Sequence, residues 1–368
     1  MSSITPAVHA ARRRKLRTAM RKHKLDGLLV TSFTNVTYLT GFTGDDSYLL
    51  VTLDDETLVT DPRYSTQLGE ECPGLKLEVR EPGVLMLPGA IALIEDARIE
   101  RLGVEAGSLT VDLYHGLIDQ LANAEVIPTA GCVEELRLVK DKHEIADTRV
   151  ACDQARRTFD VVRALLQPTM TEREVAAELE YQARRFGAYS LSFPPIVAVG
   201  PRAALPHATP GSPTIGSHDF TLIDWGSHTG LYMSDLTRVL VVGKISPKLR
   251  KIYGVVLKAQ LAAIDAIRPG RTCHEVDNVA RRIITKAGFG KQFGHGLGHG
   301  LGLEIHEAPR LAKNQELELK PGMIVTVEPG IYLPGWGGVR IEDDVLVTRN
   351  GCEVLSDVPK ELDDCMVG

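Results

Sequence analysis

The sequence predicts two domains, the first of them α/β with a mixed sheet. Three observations carry that expectation. The chain has 368 residues, more than one ordinary domain holds. Its first third alternates short apolar runs with segments of helical periodicity. Near Cys132 to Asp141 this alternation ends, and Glu134-Glu-Leu-Arg-Leu-Val-Lys140 leads into a long helix. The expected domains are residues 1–135 and 136–368.

Taken in order, Ala7 to Lys24 reads as a first helix running into Leu25-Asp-Gly-Leu-Leu-Val30, a buried strand. Residues 1–25 are basic and carry no acid, a composition shared with transit peptides. Continuity into the strand pattern favours the opening helix of a folded domain. Its basic face is then solvated or set against an acidic partner subunit. Strands are expected at 27–31, 47–52, 56–60, 75–80 and 101–105, and helices near 62–71 and 109–123. Thr171-x-x-Glu174 and Thr272-x-x-Glu275 are capping boxes that open two helices of the second domain.

Hydrophobic content of 43% with 24% charge describes a globular chain with ample core, and a net charge of -6 argues against nucleic acid as a partner. No apolar run approaches a membrane span. The six cysteines are dispersed without Cys-x-x-Cys spacing, the pattern of reduced thiols in a cytoplasm.

Five acids and imidazoles of the second domain stand out: Asp224, Asp235, His299, Glu328 and Glu342. Each lies in a strand-like or glycine-rich stretch, where charge is costly unless neutralised. Phe220-Thr-Leu-Ile-Asp224-Trp-Gly226 and Gly230 to Gly243 read as two antiparallel strands joined by a short turn, placing Asp224 opposite Asp235 on one face. A lone strand aspartate is usually structural. Two that face each other repel and ask for something positive between them. Phe293-Gly-His295-Gly-Leu-Gly-His299-Gly-Leu-Gly-Leu-Glu-Ile-His306 is too rich in glycine for a regular helix or strand. A phosphate cradle would need a helix to follow, and the apolar run stops at Pro309. His306-Glu-Ala-Pro-Arg310 does not supply a zincin helix either. Glu328 ends an apolar strand before Pro-Gly. Gly338 to Thr348 alternates, with Arg340 and Glu342 on one face and Ile341 and Asp343 on the other. Four carboxylates and one imidazole suit a pair of divalent ions such as manganese, cobalt, iron or zinc.

The segments Leu205-Pro-His207-Ala, Asp224-Trp-Gly, Ser234-Asp235-Leu-Thr-Arg, His295-Gly-Leu-Gly-His299, Glu328-Pro-Gly-Ile-Tyr and Gly-Val-Arg340-Ile-Glu342-Asp occur in order. In this the run from Pro194 to Asp344 resembles the metallopeptidase family of methionine aminopeptidase, aminopeptidase P and prolidase. Asn35-Val-Thr-Tyr38-Leu-Thr-Gly41 and Thr60-Asp-Pro-Arg63-Tyr64 resemble the creatinase/prolidase N-terminal domain. The resemblance implies an α+β "pita-bread" catalytic domain and the proline-specific branch of the family.

It also implies roles. Asp235 and Glu342 bridge two ions, Asp224 completes one site, and His299 with Glu328 completes the other, manganese being the first choice of metal. Glu328 shuttles the proton, and His207 and His306 hydrogen-bond the substrate and its oxyanion. His295 lines the cleft, and Arg340 orients Glu342 and its neighbours. Arg310 suits a clamp on a dipeptide's free carboxylate. An Xaa-Pro dipeptidase is therefore expected, acting on proline-containing di- or short peptides as a homodimer, with an Xaa-Pro aminopeptidase as the alternative. Catalytically dead binding members and creatinase, which works without metal, normally lack some of the five ligands.

Overall fold

The computed structural model describes residues 4–367. They fall into two compact units, residues 4–137 and 138–367.

The first unit opens with α1 (Pro6–Lys22), β1 (Gly27–Val30), α2 (Phe33–Thr40), β2 (Ser47–Thr52) and β3 (Glu56–Thr60). It continues with α3 (Ser65–Glu71), β4 (Lys76–Val79), α4 (Met86–Asp96), β5 (Arg101–Glu105), α5 (Val111–Gln120), β6 (Glu125–Thr129) and α6 (Glu134–Arg137). The six strands form one mixed sheet in the order β4-β3-β2-β1-β5-β6. All five expected strands are present. Helices α2 and α4, the one-turn α6 and strand β6 had no counterpart in the sequence reading. Helix α2 is built from Phe-Thr-Asn-Val-Thr-Tyr-Leu-Thr, a poor helix former, and six of its eight residues are buried, so packing overrides propensity. Helix α4 carries Pro88 and Gly89 in its first turn, where proline is tolerated although it resembles a break. Strand β6 contains Pro128 and is an edge strand, the position that accepts it.

The second unit opens with α7 (Lys142–Leu165), α8 (Glu172–Arg185), β7 (Ser190–Leu191), β8 (Ile196–Val199) and β9 (Phe220–Trp225). Next come β10 (Ser227–Thr229), β11 (Tyr232–Met233), β12 (Leu236–Val242), α9 (Pro247–Ala266) and α10 (Cys273–Lys286). The remaining strands are β13 (Gly298–Gly300), β14 (Glu307–Leu311), β15 (Ile324–Val327), β16 (Gly330–Leu333), β17 (Gly337–Arg340), β18 (Asp343–Val347), β19 (Cys352–Val354) and β20 (Met366–Val367). Both capping boxes form, at Thr171/Glu174 and Thr272/Glu275. One sheet runs β20-β12-β9-β8, another β14-β13-β15-β18-β19, and β16 and β17 form a separate hairpin. Phe220 and Leu222 of β9 join the core made with α9 and α10, whereas Ile223 and Trp225 join the core made with α7 and α8. Asp224 is in phase with Phe220 and Leu222 and faces the first of these layers.

Two details of the strand reading change. Asp224 does not pair with Asp235. Its partner across the ladder is Thr237, and the connection holds the small hairpin β10–β11, which pairs with β7. Asp235 lies two residues before Thr237, so the face it shares with Asp224 survives by parity. The stretch from Gly338 to Thr348 is not one strand. It changes sheets at Ile341–Glu342, with β17 pairing to β16 and β18 to β15. Among the described residues, no helix is long and apolar enough to cross a membrane.

Candidate metal centre

Three ligand groups meet where the two sheets touch. One ligand atom each of Asp235, His299 and Glu342 lies within 4.8 Å of the others. Strand β13 presents His299 by bringing two backbones together. A side chain at the preceding Gly298 would place its Cβ 2.0 Å from the Thr326 carbonyl oxygen, so only glycine fits. The His299 backbone N–H donates to Thr326 Oγ1 (3.1 Å), and its Nδ1 donates to the Gly300 carbonyl (3.0 Å). That leaves the Nε2 lone pair facing Asp235 Oδ2 at 3.6 Å and Glu328 Oε1 at 3.5 Å. Burial pulls His299 down to about 4, so the ring is neutral at physiological pH and able to ligate.

The carboxylates shift the other way. Burial pushes Glu328 up to about 8 against the opposing pull of Arg340. Asp235 and Glu342 rise well above the usual range, first through burial and then through the neighbouring acids. Asp224 also rises through burial, although Arg340 Nη2 donates to its Oδ2 at 2.5 Å. Four carboxylates and one guanidinium leave three negative charges uncompensated when all are ionised. The other oxygen of Asp224, Oδ1, is buried without a hydrogen-bond partner among the described residues. An orphaned buried carboxylate oxygen beside hard oxygen donors and one imidazole nitrogen fits divalent cations.

Thr237 and Tyr332, both unassigned in the sequence reading, complete the surroundings. Arg340 Nε donates to Thr237 Oγ1 at 3.0 Å, and that hydroxyl donates to Glu342 Oε2 at 2.5 Å. Arg340 therefore reaches Glu342 through Thr237 rather than directly. Its Nη1 donates to the Tyr332 hydroxyl at 2.8 Å, which lies 3.0 Å from His295 Nε2. The other His295 nitrogen is 2.7 Å from the Gly296 carbonyl. With Nδ1 donating to that carbonyl, Nε2 accepts from Tyr332, and burial holds the ring near 4 and neutral. Both nitrogens are spent inside the protein, a departure from the cleft-lining part expected for His295.

Two further acids hold the backbone. Asp344 Oδ2 accepts the Asp235 backbone N–H at 2.9 Å. Asp343 pairs with Arg238, Lys360 and Gln260, and Arg238 also donates to the backbone carbonyls of Thr237 and Glu342. Their sequence signal was present in Leu-Thr-Arg238 and Glu342-Asp-Asp, but nothing in spacing separates a ligand acid from its structural neighbour.

His207 and His306 are exposed. The His306 ring packs edge-on against His299 with centroids 4.4 Å apart. His207 is close enough for its charge to act on His306 and Asp224. Arg310 pairs across the ladder with His299 and projects from the same face, exposed.

Residues 146–349 match Metallopeptidase family M24, and residues 12–139 match the Creatinase/Prolidase N-terminal domain. An Xaa-Pro dipeptidase of Pyrococcus furiosus is 36% identical over 352 residues, covering 95% of this chain and 98% of that protein. A solved Xaa-Pro dipeptidase from Bacillus anthracis superposes with a TM-score of 0.93 at 41% identity, over 96% of this chain and 99% of the other. An X-Pro aminopeptidase from Thermotoga maritima gives 0.87 at 33% identity, over 94% and 99%. The class is that of a pita-bread metallopeptidase. The chain belongs to metallopeptidase family M24 and carries its catalytic part behind a creatinase/prolidase N-terminal domain.

Proposed function

We propose that the protein hydrolyses the Xaa-Pro bond of dipeptides with two divalent ions. Asp235 and Glu342 would serve both ions, Asp224 one, and His299 with Glu328 the other. The observation that carries this reading is the Asp235–His299–Glu342 cluster beside an orphaned Asp224 oxygen. The ions, when bound, supply a water activated at neutral pH and polarise the scissile carbonyl. Glu328 takes up the proton released by the attacking water at its carboxylate and passes it to the proline nitrogen, which has no N–H of its own. His207 and His306 hydrogen-bond the oxygen on which negative charge develops. Arg310 binds the free carboxylate of the proline.

An aminopeptidase acting on longer peptides is the second reading. It is favoured by the exposure of Arg310 and by the likeness to an X-Pro aminopeptidase. Manganese as the metal, a homodimer and a cytoplasmic location belong to the same proposal. Stripped protein reconstituted singly with manganese, cobalt, iron or zinc should cleave Ala-Pro faster than Ala-Pro-Ala and bind two ions per chain by elemental analysis. Preference for the tripeptide selects the aminopeptidase, and turnover unchanged by EDTA removes both readings.

A further inference from the structure

We infer that Glu172, outside the metal centre, is a positioning residue for His207. His207 sits on an irregular segment between Val199 at the end of β8 and Gly211, with a 3-10 turn over Gly200–Ala204. An exposed histidine on such a segment is mobile by default, whereas a group that must meet developing charge has to be placed to within about an ångström. Glu172 is the first residue of α8 and is fully buried. The capping box of that helix already uses Thr171 and Glu174, so the Glu172 carboxylate is not spent there. Both its oxygens go to the His207 segment instead.

Oε1 accepts the Val199 backbone N–H at 2.8 Å, and Oε2 accepts the Gly211 backbone N–H at 2.6 Å. One carboxylate thus joins the two ends of the segment. Arg202 Nε lies 2.9 Å from each oxygen, and its Nη2 donates to the Thr209 carbonyl at 2.5 Å. The floor is fixed by backbone contact, since a Cβ at Gly338 of β17 would fall 2.0 Å from the Ala203 carbonyl oxygen. Arg340 Nη2 lies 3.4 Å from the Pro206 carbonyl, one residue before His207. The strand that leads to Arg340 and the Glu172 carboxylate therefore define one position for the histidine. A buried carboxylate is costly unless all its acceptors are used, and here they are used on this segment alone.

The inference rests on the proposed role of His207 toward substrate. The test is a double-mutant cycle between Glu172→Gln and His207→Ala, read on metal-loaded enzyme with Ala-Pro. The amide would turn an N–H toward donors that the carboxylate now accepts. Glu172→Gln should lower kcat by roughly 10 to 100-fold, keep its metal per chain, and raise hydrogen exchange over 199–211. Added to His207→Ala, it should cost less than about twofold more, because the histidine it positions is gone. An equal loss in both backgrounds, or loss of metal, makes Glu172 a general structural residue and overturns the inference. A damaging His207→Ala beside a silent Glu172→Gln overturns the inference alone. A silent His207→Ala overturns the role given to His207, and the inference with it. If Glu172→Gln does not fold, Arg202→Ala at the 35% exposed end of the pair carries the same comparison.

Discussion

Arg340 and Glu342 flank the point where the chain passes from one sheet to another, and they meet at one hydroxyl. Arg340 closes β17, Glu342 precedes β18, and the Thr237 Oγ1 between them accepts from the first and donates to the second. A hydroxyl that accepts from a cation is polarised to donate more strongly to an anion. The arrangement fixes one oxygen of Glu342.

Removal of metal should make stability fall as pH rises. Glu328 sits near 8, far above an exposed glutamate, and Asp235 and Glu342 are raised as well. Without cations the folded state holds protons that the unfolded chain has already released. That contribution is complete below the unfolded pKa and is lost as pH rises through about 8 for Glu328. With cations in place the same groups stay ionised. Calorimetric Tm of stripped protein should therefore fall between pH 6 and 9 while that of loaded protein holds. Parallel Tm curves would show that the acids bind no ion.

The two exposed histidines should separate from the buried one. His207→Ala and His306→Ala are expected to lower kcat by roughly 10²-fold, the scale of one lost oxyanion donor, with metal content retained. His299→Ala should lose metal. Elemental analysis of the three variants decides the matter, and equal metal loss in all three would exchange the assigned roles.

Arg310→Ala should weaken kcat/KM for Xaa-Pro dipeptides by roughly 10 to 100-fold and leave Xaa-Pro-Xaa tripeptides nearly unchanged, a charged hydrogen bond contributing about 1.5–3 kcal/mol. Lysine should rescue in part, because it offers a point charge in place of a planar fork. Its exposure places it at the weaker end of that range. Equal loss on both substrates would refute the carboxylate clamp.

Much of this candidate centre was legible in the sequence because its acids and imidazole sit at pattern breaks. Glu328 ends a strand before Pro-Gly, His299 is flanked by glycines, and Asp224 interrupts an apolar run. The five reach one region of the fold. What stayed hidden depends on contacts between distant segments. Nothing local to Thr237 announces a partner 105 residues away, and the role of Glu172 needs the meeting of α8 with a segment 30 residues on. The strand break at Ile341 was missed for a related reason: period-two alternation continues through it, and only the change of partner strand reveals it. In the first unit, α2 was unreadable because its residues favour strands and tertiary burial decides.

Arg238 is expected to be among the most sensitive positions for stability. Its side chain and that of Asp343 are each 1% exposed. Arg238→Met strands a buried carboxylate partly and frees the carbonyls of Thr237, Glu342 and Val358. Breaking such a pair from one side costs about 3–5 kcal/mol. Urea denaturation of stripped protein measures it, and a change under about 1 kcal/mol would show that Lys360 and Gln260 suffice.

The adjacent acids Glu342 and Asp343 also separate maturation from folding. Asp343 is neutralised by the chain's own Arg238 and Lys360, and burial holds protons on the acids around Glu342 until a cation displaces them. The polypeptide is therefore expected to reach its native form before any cation arrives, unlike a zinc finger, which waits for its ion to fold. Loading would then be a late, reversible exchange of protons for cations at a finished protein. The cation carried then reflects what the surroundings supply as much as what the donor set prefers.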